Sequence, residues 1–226
     1  MRDSRYKYVR NFMSHVPHAQ PSQYKDGKKI VQVIRGLHKE GKLNEQQARP
    51  FAIRRPPEEL YDLQSDPHEL VNLAQKSKHQ KKLATMRKVL SQRMTETRDV
   101  GLIPEPILED VGREAGNKYL AFLDNDHSGQ TRRLIDVITA GEANDGAKLL
   151  EYAKSPDPST RYWAAVWLGI KETTEGKSTL LKLTADRVPA IRVAAAQALY
   201  RLGDLSKLKL LDEHINAPNL LVGMFA

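Results

Sequence analysis

The residues best equipped for chemistry lie in three places. His15 and His18, in the stretch His-Val-Pro-His, stand three apart on a proline-containing segment that follows Arg10. Two imidazoles with a guanidinium nearby could grip an anion, so Arg10, His15 and His18 are the candidate substrate-binding residues. A metal needs more ligands than two histidines, and none is adjacent in sequence. The pair also reads as ordinary loop histidines. Asp62, Asp66, His68 and Glu69 invite a metal assignment, but capping and turn roles around Ser65-Asp66-Pro67 account for them at lower cost. Arg161 and Arg192 each follow a proline-containing turn. They read as a ligand-binding ladder or, preferably, as structural ties that bond carbonyl or carboxylate groups of a neighbouring turn. No cysteine is present, which excludes disulfides, thiolate metal ligands and a cysteine nucleophile. No Ser/His/Asp order and no phosphate-cradling glycine loop is recognisable. No catalytic residue, metal ligand or cofactor is therefore assigned within this chain.

The elements that must position these residues change character along the chain. Tyr6 and Tyr8 alternate with Arg5, Lys7 and Val9, the period of a half-buried strand. It starts so near Met1 that no preceding partner strand is expected. Asp26 is placed to cap a helix through about Lys39, with Ile30, Val33, Ile34 and Leu37 at helical spacing. Glu58 to Leu63 reads as a second strand. Asp66, Pro67 and Glu69 then fit the cap, first position and N3 of a short helix. A longer helix follows, roughly Lys78 to Arg98, with Leu83, Met86, Leu90 and Met94 on one side. Gly101, Pro104 and Pro106 make 100–106 a hinge. Beyond it only helical patterns occur, at about 107–124, 130–140, 144–154, 158–170, 176–185, 188–202, 205–215 and from 218 onward.

Charge divides the chain in the same way. Residues 1–100 hold 21 Lys/Arg against 11 Asp/Glu, while 101–226 hold 15 against 17, so all the excess of the +8 net charge lies in the first half. A basic face attracts polyanions, including nucleic acid and sulfated polysaccharide, or is simply solvated. The apolar runs fall far short of the roughly 20 residues of a membrane helix. The opening residues Met-Arg-Asp-Ser-Arg-Tyr lack the apolar core of a signal peptide.

The second half repeats itself at an offset of 31 residues. Leu149/Leu180, Leu150/Leu181, Pro158/Pro189, Arg161/Arg192, Ala164/Ala195, Ala165/Ala196 and Leu168/Leu199 correspond, and a third, truncated copy begins at Leu210-Leu211. Each unit pairs an apolar helix with a second helix whose alanines permit close approach, the pattern of an α-solenoid. It resembles the short HEAT-like repeats of the phycobilisome-lyase type. Trp163 and Trp167, four apart, read as packing residues, with a partner surface as the alternative.

The stretch Glu59-Leu60-Tyr61-Asp62-Leu63-Gln64-Ser65-Asp66-Pro67-His68-Glu69-Leu70-Val71-Asn72-Leu73-Ala74 carries a second resemblance. It is similar to the ELYDL…DP…E…NLA segment near the C-terminus of sulfatase-family enzymes, and Arg5-Tyr6-Lys7-Tyr8-Val9-Arg10-Asn11 resembles the strand that precedes it there. The subgroup it looks most like is heparan N-sulfatase-like (sulfamidase-like), over about residues 2–104. The resemblance implies a hydrolase of sulfate esters or sulfamates that uses formylglycine and a divalent cation, usually calcium, and is exported. The family's Cys/Ser-x-Pro-x-Arg motif and paired aspartates have no counterpart here, so the resemblance implies a truncated reading frame, a split gene or a fragment of a longer protein.

The expected fold is thus an α+β sulfatase C-terminal subdomain remnant (1–104), a linker helix region (105–129) and an all-α HEAT-like solenoid (130–226). The leading expectation is an accessory role, scaffold and pocket rim without nucleophile or metal site. Its partners would be an upstream sulfatase catalytic domain and a sulfated polysaccharide. The alternative is an interaction module whose repeats bind a protein partner. Nucleic acid ranks third, because the positive half carries no nucleic-acid motif, and no membrane partner is expected.

Overall fold

Alternation places Tyr8 and Leu60 on the inner side of a two-stranded antiparallel sheet. β1 (Tyr6–Arg10) and β2 (Glu58–Asp62) pair with Tyr6 opposite Asp62 and Tyr8 opposite Leu60. The computed structural model describes residues 1–118, 128–170 and 173–226. They form two compact units, Met1–Leu90 and Ser91–Ala226.

In the first unit, Tyr8 and Leu60 are wholly buried with Ala74, Leu83 and Met86, and Tyr6, Leu73 and Leu90 pack around them. Two strands alone are marginal in water and need a covering element. The long helix supplies it through Leu83, Met86 and Leu90, spaced three and four apart on one face. Both sheet margins are occupied, although the sheet has no third strand among the described residues. Tyr8 N donates to Met1 O at 2.9 Å, and Arg2 bridges to Lys7. On the other side Leu60 N donates to Asn72 Oδ1 (3.0 Å), while Leu60 O accepts from Leu73 N (2.8 Å). Asn72 also donates to Glu58 O at 3.1 Å, so one amide stands in for a neighbouring strand.

Two capping expectations need correction. No helix starts at Asp26. A short α1 (Gln23–Asp26), capped by Ser22, ends there, and α2 (Lys29–Lys39) begins without a side-chain cap. The Asp26 carboxylate instead accepts from Ser22 N and Arg35 Nε. No residue of α2 is buried, and Ile30 is 72% exposed. After α3 (Glu45–Ala48) the chain runs irregularly into β2. Asp66 does bind the amides of Leu70 and Val71, at 3.0 and 2.8 Å, but the segment stays a turn. Glu69 has φ 57°, which no right-handed helix accommodates.

The boundary between the units falls inside α4 (Gln80–Glu96), not at the 100–106 hinge. Leu102, Ile103 and Ile107 are buried in the second unit, which holds the region from 91 onward. There α5 (Glu105–Ala115) and α6 (Ser128–Glu142) precede three helix pairs. These are α7 (Gly146–Tyr152) with α8 (Pro158–Leu168), α9 (Thr174–Leu183) with α10 (Pro189–Arg201), and α11 (Leu208–Ile215) with α12 (Leu220–Phe225). The helix expected over 107–124 ends at Ala115 with Gly116 in the left-handed region at φ 77°; its continuation past 118 lies outside the described residues.

Proline at the first position starts α8 and α10, where its missing N–H costs nothing. Ala164, Ala165, Ala195 and Ala196 are wholly buried between the layers, with Leu149, Leu168, Leu180 and Leu199 filling the space around them. The described residues of the unit form an α-solenoid. Trp163 and Trp167 are both buried, which removes the alternative that either forms a partner surface. Trp167 lies so close against Gly141 of α6 that any Cβ there would collide with its ring.

Candidate functional site

Arg10 ends β1 and turns its Nη1 toward backbone, donating to Pro57 O at 2.9 Å and Asn11 O at 3.2 Å; its guanidinium stands 4.8 Å from the centre of the Phe12 ring. His15 is half-buried and His18 exposed on the following loop. That loop is fixed by two arginines the sequence did not single out. Arg55 donates from its backbone to Ser14 O, from Nε to Val16 O and from Nη2 to Pro17 O, at 3.0, 3.0 and 3.2 Å. Arg35 donates to Ala19 O and Gln20 O. No local spacing could have shown this, since the side-chain donors sit 15 to 39 residues from their acceptors and the Arg55 amide lies further still from Ser14. Among the described residues no group of three or more His, Asp or Glu side chains could hold a metal ion.

The carboxylates of the Glu58–Glu69 segment are spent on the sheet. Asp62 is gripped by Arg5 through Nε and Nη2, with the shortest bond 2.6 Å, and Glu69 takes Lys7 Nζ at 2.7 Å. Glu58 accepts from Tyr8 Oη (2.5 Å) and from Arg87 Nε and Nη2 (both 2.6 Å). Glu59 accepts from Asn11 Nδ2 and from the Tyr61 hydroxyl. The Arg5 bonds hold the Asp62 carboxyl below the usual carboxylate range. Burial works to raise Glu58, but Arg87 and the Tyr8 hydroxyl outweigh it and lower the carboxyl. Burial, and then the Glu58 carboxylate, push the Tyr8 phenol far up. Both shifts move these groups away from neutral pH, so neither is poised to exchange a proton there.

The arginines of the repeats sit in a different setting. Arg161 is buried and makes four bonds: Nε and Nη2 to the two Asp186 oxygens at 2.8 and 3.0 Å, and Nη1 to Ser155 O and Pro156 O at 2.9 and 3.0 Å. Burial works against ionised Asp186, but Arg161 and the Val188 amide outweigh it and hold its carboxyl low. Arg192 repeats the bond to its own turn, Nη1 to Asp186 O at 3.0 Å. Its outward bond goes to His214 Nε2 at 3.2 Å. The offset of 31 shows why: Asp186 corresponds to Ala217, which has no carboxylate to offer.

A family model for HEAT repeats matches residues 146–222. These residues are HEAT repeats. Counting the same offset backward from Arg161 reaches Gln130 of α6, ahead of the matched HEAT segment, and Gln130 Nε2 donates to Asp157 Oδ1 at 2.8 Å. A bond from this helix position to the following helix pair thus recurs three times, to the turn or cap residues Asp157 and Asp186 and then to His214 within α11. A comparison with curated proteins finds an ulvan-active sulfatase of Formosa agariphila, 40% identical over 105 residues. That stretch is 46% of this chain and 18% of the relative, so the chain spans less than a fifth of the sulfatase's length. No solved structure matches the chain.

Proposed function

We propose that residues 1–104 act as the C-terminal subdomain of a sulfatase-like hydrolase of anionic sugars, cleaving sulfate esters or sulfamates, and that the HEAT array accompanies it. The observation that carries this reading is the 40% identity over 105 residues with a sulfatase. The Leu60-Tyr61-Asp62-Leu63 to Asn72-Leu73-Ala74 framework supports it, since these residues are engaged in building the sheet. In this reading the formylglycine nucleophile and the divalent cation, usually calcium, come from sequence outside these 226 residues. Arg10, His15 and His18 would face the sugar at the pocket rim, on a loop stiffened by Arg35 and Arg55, and the assembled enzyme would be an exported one acting on sulfated polysaccharide. Arg161 and Arg192 would serve as inter-repeat ties rather than ligand contacts.

The test has two parts. The purified chain should not turn over an aryl sulfate or ulvan with calcium or magnesium added; metal-dependent turnover by a clean preparation rejects the reading. In an active assembly with a segment bearing Cys-x-Pro-x-Arg, His15→Ala with His18→Ala should raise KM roughly tenfold with little change in kcat, as loss of uniform binding does. Unchanged KM removes the rim assignment.

A second reading, a HEAT interaction module, draws on Leu181, Leu205 and Leu208, which are 47%, 64% and 45% exposed. Leu181 also borders a shallow groove with Lys177, Leu199, Leu202 and Asp204. A bait carrying residues 91–226 that retains a partner, and loses it on Leu181→Asp, would favour this reading.

A further inference from the structure

One short stretch ahead of the HEAT repeats is held by side chains from three places along the array. Asp99 O accepts from Thr131 Oγ1 of α6 at 3.4 Å. Leu102 O accepts from Trp163 Nε1 of α8 at 2.7 Å. Pro106 O accepts from Asn219 Nδ2, at the cap of α12, at 3.0 Å, and the same nitrogen reaches Asp110 Oδ1 at 2.7 Å. The order along the stretch follows the order of the helices, so residues 99–110 run along the stack.

Between these anchors the stretch is apolar and buried. Leu102, Ile103 and Ile107 are no more than 7% exposed, and Pro104 and Pro106 are buried with them. The two prolines bring carbonyls without N–H groups, so at those positions the face need supply no acceptor in return. Val100 O accepts from Ile103 N in a turn, and Pro104 then caps α5. The array, for its part, presents buried donors. An indole N–H or a carboxamide in an apolar face is costly unless an acceptor meets it. Trp163 and Asn219 are set into the surface at the places where backbone carbonyls arrive. Neither donor belongs to the repeat pattern itself. At the offset of 31, Trp163 corresponds to Ala194 and Asn219 to Val188, and neither of those side chains could donate.

We propose that the second-helix face of the array is a receptor for apolar, proline-containing segments of the Leu-Ile-Pro-x-Pro-Ile kind, and that residues 99–110 occupy it in cis. A partner chain presenting the same turn and proline-started helix competes for the same three donors. The strap attached to the array has the advantage of effective concentration, so the face opens only to a partner offered in excess or when the strap is weakened.

The probe is a synthetic peptide of residues 99–110, with a scrambled peptide as control, added to the full chain. Wild-type chain should take it weakly. The chain with Ile103→Ser and Ile107→Ser, shown to be folded by its cooperative melt, should bind it at least about tenfold more tightly, because the competing strap is loosened. Trp163→Phe in that background should cut the gain by roughly tenfold, the worth of one buried hydrogen bond. A folded double variant that takes no more peptide than wild type overturns the proposal. If the double variant does not fold, amide exchange on the wild-type chain decides. Exchange at Ile103 must speed up when the peptide is in large excess, and unchanged exchange there overturns it equally.

Discussion

Residues 1–90 gather five buried side chains into one cluster and lace the rest together with arginine and lysine bonds, many to carboxylates at the surface. Among the described residues of 91–226, alanine and leucine are buried layer upon layer, and the most buried ion pair, Arg161–Asp186, lies where one repeat meets the next. In the first unit the cations are the solvated members: Arg5, Arg87 and Lys7 are 49%, 48% and 38% exposed, while the Asp62, Glu58 and Glu69 they grip are 7%, 19% and 33% exposed. In the second, Arg161 and Asp186 are 10% and 9% exposed. A solvated pair adds little to stability, and a pair shut away from water becomes indispensable once formed, because removing one member strands the other. The contrast teaches that the same arginine–carboxylate bond fastens an edge in one unit and locks a stack in the other.

The largest expected effect tests the locked bond. Arg161→Ala should destabilise the helical unit by about 3 kcal/mol, since Asp186 is left buried without its cation. Urea unfolding followed by the fluorescence of the two tryptophans reports on this unit alone, because Trp163 and Trp167 both lie in it. A loss as small as that from cutting a surface pair would erase the distinction between the units. Arg5→Ala is the matching probe in the first unit, and its effect should be the smaller.

Acid should separate the units next. Asp62, Asp66, Asp26 and Glu58 all have carboxyls lowered in the fold, by Arg5 for Asp62 and by the Val71 and Leu70 amides for Asp66. A carboxyl lowered in the folded state adds stability that is complete above its unfolded value near 4 and is lost as pH falls through the folded value. The described part of the second unit has Glu109, Asp186 and Asp204 lowered in the same way, with far more apolar burial to fall back on. Between about pH 5 and 3, amide protection at Tyr8 and Leu60 should therefore fall before that at Ala164 and Ala195. Simultaneous loss would show that the first unit does not depend on its carboxylates.

How much of this was readable in advance follows the reach of the interactions. The strands at Tyr6–Arg10 and Glu58–Asp62 and the helix pairs were legible, because period two, period 3.6 and the offset of 31 are local signals. The helix cap assigned to Asp26 failed because Arg35, nine residues on, competes for the same carboxylate. The helix after Asp66 failed at Glu69, whose backbone turns left-handed while its side chain binds Lys7. Within the strap, 100–106 reads as a hinge from sequence, since glycine and proline mark a break in structure without saying what the break packs on. Its anchors at Thr131, Trp163 and Asn219 are 32, 61 and 113 residues away. For the same reason Arg10, His15 and His18 could be proposed from sequence, but Arg35 and Arg55, which fix their loop, could not.

Within the array, Arg192→Ala should cost about 1 kcal/mol, well below Arg161→Ala. Its outward bond ends on an imidazole nitrogen, His214 Nε2, where Arg161 has a carboxylate. Loss of Arg192 strands no buried charge. Equal costs at the two arginines would mean that Asp186 is less dependent on Arg161 than its burial implies.

The smallest effect is a gain. Ala217 holds the position of Asp186 one repeat later, so Ala217→Asp offers Arg192 the carboxylate it lacks. By analogy with Asp186, which also accepts from Val188 N at 2.9 Å, the new carboxylate could take the amide of Asn219 as well. The gain is limited from two sides: Arg192 must give up His214, and Ala217 is only partly buried, so the pair stays partly solvated. A net stabilisation of about 0.5 kcal/mol is expected, read from the urea midpoint at unchanged slope. The decisive measurement is the same substitution in the Arg192→Ala background. If the gain comes from completing the tie it must vanish there, as coupled residues require. A gain that survives without Arg192 would come from the turn alone, and the correspondence between Asp186 and Ala217 would then be one of sequence position without a shared bond.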